Sequence, residues 1–215
     1  MKLLEIIDTK IDYSSEKAFP INSPVIGTGF YSDVFNKDDW SVEKVSKFPD
    51  HNEDPVDPYT FYIKYLVDHH ISESNPFFPR VYSIQKNFHS SEDNSQYSFQ
   101  IEKLLNLDNL NIQSLKSAAS MIGLYLDAEH DYTGAFVKEI VENIRSYTEG
   151  IAKPPLYNEK FLEAISTLKK IFKQYKTFHK SEMGWDINKN NIMVRLGKTG
   201  AQLVFTDPFS MELTF

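Results

Sequence analysis

Apolar positions recur at a period of two through the first half of the chain and at about 3.6 residues through much of the second, which predicts strands giving way to helices. Within residues 24 to 48, "PVIGTGFYSDVF" and "WSVEKVSKF" carry the β-branched and aromatic residues of strands around a glycine turn, with Asn36 to Asp39 as a hairpin connection. The polar, proline-containing "PDHNEDPVDP" (49 to 58) predicts a loop. "YTFYIKYLVDHH" predicts a helix with Tyr62, Tyr65, Leu66 and His69 on one face. "NPFFPRVYSIQ" and "YSFQIEKLL" predict two strands joined by the polar turn "HSSEDNSQ".

From residue 108 the period becomes helical. "IQSLKSAASMIGLYLDAEH" and "AFVKEIVENIRSYTEGI" predict amphipathic helices, the second ended by Gly150 with Pro154 and Pro155. The clearest helix spans residues 158 to 179, where Phe161, Leu162, Ile165, Leu168, Ile171, Phe172 and Tyr175 fall in phase and Asn158 can cap the start. It runs into "GWDINKNNIMV" (184 to 194), then a hairpin made of "NIMVRL", the turn "GKTG" and "AQLVFTDPF". The expected class is therefore α+β, with a small antiparallel β-rich lobe over residues 1 to 104 and a helical lobe over 105 to 215.

Composition narrows the functions. With 215 residues, 41% hydrophobic and 14% aromatic, the chain can bury a sizeable core in one large domain or two small lobes. A formal charge of -7 opposes a generic phosphate-binding surface, so neither nucleic acid nor an anionic membrane is expected as a partner. The absence of cysteine excludes disulfides, thiolate catalysis and cysteine-based zinc sites, and the 6 histidines show no ligand spacing. "MKLLEIIDTK" is too short and too interrupted, by Glu5, for a signal peptide, and no segment reaches transmembrane length, so a cytoplasmic protein is expected.

The stretch "GWDINKNNIMV" places an aspartate, three asparagines and a lysine directly before apolar positions. Turn chemistry is the bland reading, because Asn and Asp bond their own backbone and tolerate left-handed geometry. A catalytic loop is the sharper one: Asp186 and Asn191 are five residues apart, after a long helix and before a strand. Asp207 sits among Phe205, Pro208 and Phe209, a setting costly for an unpaired charge unless a cation or a turn explains it.

These stretches resemble the protein-kinase-like phosphotransferases. "GTGFYSDVF" is similar to the glycine-rich loop G-x-G-x-x-G-x-V, with Gly27, Gly29 and Val34 in register and Ser32 in place of the third glycine. "VEK" (42 to 44) resembles the strand-lysine motif, "DINKNN" the D-x-x-x-x-N catalytic loop, and "FTDPF" the strand-end metal aspartate. The compact length and the "NIMVR…TDPFS" ending look most like the early protein kinases of T-seven-type phages.

The resemblance implies a two-lobed kinase-like fold that uses ATP and Mg²⁺ to phosphorylate Ser/Thr hydroxyls of host proteins in the host cytoplasm. The backbone of Gly27, Thr28, Gly29 and Ser32 would cradle phosphates, Val34 and Val42 would line the nucleotide, and Lys44 would reach the phosphates. Lys47, beside Val45, is a rival for that role. Ile101 would abut the adenine while the backbone of Glu102 to Leu104 reads its edge. Asp186 would accept the hydroxyl proton, Lys189 would contact the transferred phosphate, and Asn191 and Asp207 would hold the metal.

Several positions depart from the pattern. Gly184 and Trp185 stand where His and Arg are usual, Asn188 stands in the lysine position, and "DPF" replaces D-F-G. No glutamate lies in "YTFYIKYLVDHH", leaving Asp57 and Asp68 as partners for the strand lysine. A small-molecule kinase of antibiotic-kinase type and a pseudokinase that binds proteins without transfer are the alternatives. Eight residues, "PFSMELTF", follow Asp207, which predicts an enzyme active as synthesised, with substrate held by residues 108 to 155 and any phosphorylation near Ser32 acting as a brake.

Overall fold

A computed structural model describes residues 24–29, 32–47, 50–51, 57–88, 94–110, 113–127, 154–179, 183–188, 190–197 and 200–211. The readings placed on "MKLLEIIDTK", on "AFVKEIVENIRSYTEGI" and on Lys189 fall outside them. The protein is α+β with antiparallel sheets, and it divides into two compact units, Met1–Asp54 with Val81–Lys103 and Pro55–Arg80 with Leu104–Phe215.

The first unit is a sheet of β1 (Val25–Thr28), β2 (Ser32–Asn36), β3 (Ser41–Ser46), β4 (Asp50–His51), β5 (Val81–Phe88) and β6 (Asn94–Glu102). Its order is β1-β2-β3-β6-β4, with β5 also pairing β6. The β2–β3 corner is tied by Asp38, whose Oδ1 accepts from the backbone N–H of Trp40 at 2.9 Å and of Ser41 at 2.6 Å. Across the sheet Val34 faces Lys44, Lys44 faces Phe99, and Val42 faces Ile101. Directly opposed residues of antiparallel strands share a face. Val42, Lys44, Phe99 and Ile101 are therefore neighbours on one face, and all four are buried.

The second unit holds α1 (Pro58–Asp68), α2 (Ile71–Ser74), β7 (Leu105–Asn106), a 3₁₀ turn (Leu107–Asn109), α3 (Gln113–Asp127), α4 (Pro154–His179), β8 (Met183–Trp185), β9 (Ile192–Gly197), β10 (Gly200–Phe205) and β11 (Phe209–Met211). Two antiparallel sheets form, β10-β9-β7 and β11-β8. The core is aromatic: Tyr62, Phe77, Phe78, Phe161, Tyr175 and Phe205 are almost fully buried. Each such ring contributes about 1.5–3 kcal/mol relative to exposure. Among the described residues no helix is long and apolar enough to cross a membrane.

Several sequence expectations change. The division is not a single cut at residue 104, because Pro55–Arg80 belongs to the second unit, where α1 packs on β11 and α4. Helix α4 begins at Pro154, so Asn158 is inside the helix rather than its cap. A first-turn proline is tolerated because its missing N–H is one that would have no helical partner. Within α4, Phe161, Ile165, Leu168, Ile171 and Tyr175 are buried as predicted, but Leu162 is 49% exposed. "NPFFPR" is a turn rather than the start of a strand, and β5 starts only at Val81. Two prolines withhold amides there, while Asn75 accepts from Phe77 N–H at 3.0 Å and donates to the Lys160 carbonyl at 2.9 Å. Arg195 fastens the same turn by donating to the carbonyls of Pro76 at 2.8 Å and Phe78 at 3.0 Å. His69 lies beyond the end of α1, exposed and stacked on the Tyr65 ring at 4.0 Å.

Candidate functional site

Helix α4 delivers the chain to β8, whose last residue, Trp185, is fixed from two sides. Its ring stacks on Phe172 of α4 with centroids 4.4 Å apart and leans on Phe209 of β11 at 5.2 Å. The next residue, Asp186, donates its backbone N–H to the Pro208 carbonyl at 2.9 Å. The loop then closes on its own amides. Asn188 Nδ2 donates to Asp186 Oδ1 at 2.7 Å, Asn190 N–H donates to Asn188 Oδ1 at 2.8 Å, and Asn191 Nδ2 donates to the Asp186 carbonyl at 2.7 Å. The Asn191 carbonyl in turn accepts from Thr206 N–H at 2.9 Å, from Thr206 Oγ1 at 2.9 Å and from Asp207 N–H at 3.4 Å. Asp186, Asn191 and Asp207 are thus joined through one backbone network, with the asparagines supplying the turn chemistry that holds them.

Asp207 is half-buried between the buried residues Thr206 and Pro208, with Phe205 and Phe209 buried on either side of them. Helix α1 approaches this segment through Tyr62. Its hydroxyl donates to the Phe205 carbonyl at 2.5 Å, and its ring meets Phe209 edge-on at 5.7 Å. Burial pushes the Tyr59 hydroxyl well above the ordinary phenol range, and the negative charges of Asp207 and Asp57 add to it. The Tyr62 hydroxyl is raised by burial first, then by Tyr59 and Asp207. Both phenols stay protonated, which keeps Tyr62 a donor. Asp57 is the cap of α1, accepting from Thr60 N–H at 3.1 Å and Thr60 Oγ1 at 2.7 Å, and Asp68 is exposed at the other end of the helix.

A third support comes from α3. A Cβ built on Gly123 would lie 2.6 Å from the Ile187 carbonyl oxygen, so the helix can pass this close to the loop only with glycine there. Tyr62, Asn188 and Gly123 were not singled out by sequence as supports of Asp186 and Asp207. A buried tyrosine is always a demand for a hydroxyl partner, and that signal was present at Tyr62.

In the first unit, Gly27 pairs with Val34, and Gly29 N–H donates to the Ser32 carbonyl at 2.8 Å. Ser32 is buried, while Thr28 and Gly29 are exposed. Thr28 Oγ1 donates to Asp33 Oδ1 at 2.8 Å, and the Lys47 ammonium reaches both Asp33 Oδ1 at 3.0 Å and the Gly29 carbonyl at 2.8 Å. The Lys47 hydrogen bond, then that of Thr28, holds the Asp33 carboxyl below its usual range. Lys47 is therefore an exposed brace of the turn. Lys44 is buried within β3 on the face of Val34, Val42 and Ile101.

At the exit of β6, Ile101 and Glu102 are buried and Leu104 is half-buried. The expectation that the main-chain groups here are all open for recognition needs correction at Lys103, whose N–H donates to the Trp40 carbonyl at 2.7 Å. Lys103 Nζ donates to Asn36 Oδ1 at 2.7 Å, tying the strand exit to the β2–β3 corner.

The chain matches no protein-family model and no curated protein.

Proposed function

We propose that the protein is an ATP- and Mg²⁺-dependent kinase of a two-lobed, kinase-like fold that transfers the γ-phosphoryl group to Ser/Thr hydroxyls of proteins. The observation that carries this reading is the network joining Asp186, Asn191 and Asp207 through the carbonyls of Asp186 and Asn191. Plain turn chemistry accounts for the asparagines, but it does not call for a second carboxylate carried to the same network by another strand.

The donor set fits a hard cation. Asn191 gives its NH₂ to the loop, which leaves Oδ1 as the neutral oxygen it can offer a cation, and Asp207 brings a carboxylate. Asn191 and Asp207 would hold Mg²⁺, which would neutralise phosphate charge. Asp186, oriented by Asn188, accepts the proton as the substrate hydroxyl oxygen bonds to the γ-phosphorus and the bond to the ADP oxygen breaks. On the first unit, Lys44 supplies a fixed positive charge for phosphates, Val34 and Val42 supply apolar surface, and Gly27 and Gly29, having no side chains, let phosphates approach the backbone closely. Host proteins as substrates and a cytoplasmic site of action belong to the same proposal.

A second reading, a small-molecule kinase, is favoured by Asn188. A neutral amide bonded to Asp186 occupies the position where a protein kinase carries lysine. Radiolabelled ATP with Mg²⁺ separates the readings. Label in proteins of a host lysate supports the first, and label only in small hydroxyl compounds supports the second. Nucleotide binding with no transfer to either would leave a protein-binding pseudokinase.

A further inference from the structure

Asp207 is bracketed by one side chain from a distant part of the sequence. Two residues before it, the Phe205 carbonyl accepts from the Tyr62 hydroxyl at 2.5 Å; two residues after it, the Phe209 ring meets the Tyr62 ring at 5.7 Å and 79°. Tyr62 is 0% exposed and Phe205 1%, so water does not compete for that hydrogen bond. The other polar backbone atom of Phe205 is also fixed, its N–H donating to the Phe77 carbonyl at 2.8 Å. The end of β10 is therefore held by α1 on one side and by the turn before β5 on the other. From that anchored point the chain takes two steps to Asp207, whose own N–H reaches the Asn191 carbonyl at 3.4 Å.

We propose that Tyr62 is a positioning residue for the metal-binding carboxylate: its hydroxyl and ring together set where Asp207 stands relative to Asn191. This rests on the kinase reading of Asp207. A phenylalanine at position 62 would fill the same apolar space but leave the Phe205 carbonyl buried without its donor, and the strand end would shift to find another. Outer contacts of this kind orient a metal ligand without touching the metal, and their loss typically lowers metal affinity about 10–100-fold.

The test uses the full-length protein and two variants, Tyr62→Phe and Phe209→Leu, each checked for secondary structure by circular dichroism. Mg²⁺ is titrated against a fixed concentration of a non-hydrolysable ATP analogue while the thermal midpoint is followed, so the readout does not depend on turnover. In Tyr62→Phe the Mg²⁺ concentration giving half the shift should rise about 10–100-fold, with binding of the analogue in the absence of Mg²⁺ unchanged. Phe209→Leu should raise it in the same direction by less, and it carries the test if Tyr62→Phe does not fold. A lower midpoint with an unchanged Mg²⁺ half-point would mark Tyr62 as a core residue and overturn the proposal. A wild-type protein showing no Mg²⁺ dependence would overturn the kinase reading, and this proposal with it. That outcome is distinct from a wild-type dependence that both variants preserve.

Discussion

Between Gly29 and Ser32 the chain turns on a backbone hydrogen bond of 2.8 Å, braced from outside by Lys47 on the Gly29 carbonyl. Between Asp186 and Ile192, the side chains of Asn188 and Asn191 and the backbone close the loop on itself, and Thr206, Pro208 and α3 press on it from around. Glycine and serine bound the first stretch, and asparagines fill the second. A Cβ on Gly27 or Gly29 would meet nothing nearer than 3.6 Å, an ordinary contact, whereas one on Gly123 would come within 2.6 Å of the loop carbonyl it faces. Glycine is thus needed by the fold at the acidic loop. At the exposed turn the fold alone does not require it, and a ligand that must approach the backbone would.

The largest effect should come from the carboxylates. Asp186→Ala is expected to cut phosphoryl transfer about 10²–10³-fold while leaving nucleotide binding intact. Asp207→Ala should lose transfer to a similar degree and also lose Mg²⁺-dependent binding. Label-transfer rates and nucleotide titrations check both, and wild-type turnover in the pair would remove the kinase reading altogether.

Crossing the two glycines sharpens the comparison directly. Gly123→Ala forces backbone apart in a packed region and should cost about 1–3 kcal/mol in denaturant unfolding. Gly29→Ala should stay within about 0.5 kcal/mol of wild type in the same measurement, yet weaken nucleotide binding. Equal stability losses in the two variants would contradict the distinction. The two lysines come next. Lys44→Ala should weaken nucleotide binding, because its charge is placed on the face of Val34 and Val42, while Lys47→Ala should leave binding close to wild type.

How much of this was legible beforehand depended on the range of the interaction. The strands around Lys44, the hairpin of β9 and β10, and helices α1, α3 and α4 were readable because burial imposes a period on the sequence itself. Strands β7, β8 and β11 are only two or three residues long, too short to show a period, and Met183–Trp185 was hidden in what read as loop. Pro154 and Pro155 read as breakers in the sequence, yet they occupy the first turn of α4, where a missing N–H costs nothing. Tyr62 could be placed on the buried face of α1, but its hydrogen-bond partner is 143 residues away, and no local pattern encodes that pairing. The same holds for the membership of α1 in the second unit: amphipathicity shows that a face is covered, not what covers it.

The smallest effect concerns acid. Because the Asp33 carboxyl is held below its ordinary value of 3.8, the stability it contributes is present above that pH and is lost as pH falls through the lower folded-state value. The thermal midpoint of Asp33→Asn should therefore lie slightly below wild type at neutral pH, with the gap closing in the acid range below 3.8. A gap that widened in acid would show that Lys47 and Thr28 do not stabilise the charged carboxylate.

Neither compact unit is a continuous length of chain. Strand β3 pairs with β6, yet α1 and α2, which lie between them in sequence, pack in the other unit. During synthesis β1, β2 and β3 emerge well before the strand that completes their sheet, and α1 emerges before the β10 segment that its tyrosine grips. Each unit must hold an unfinished edge while part of the other is made, and long-range closures of this kind slow folding. Isolating either unit would take three cuts and a new join rather than a single truncation. Grafting the Asp186 loop onto another scaffold would mean transplanting Pro55–Arg80 along with it.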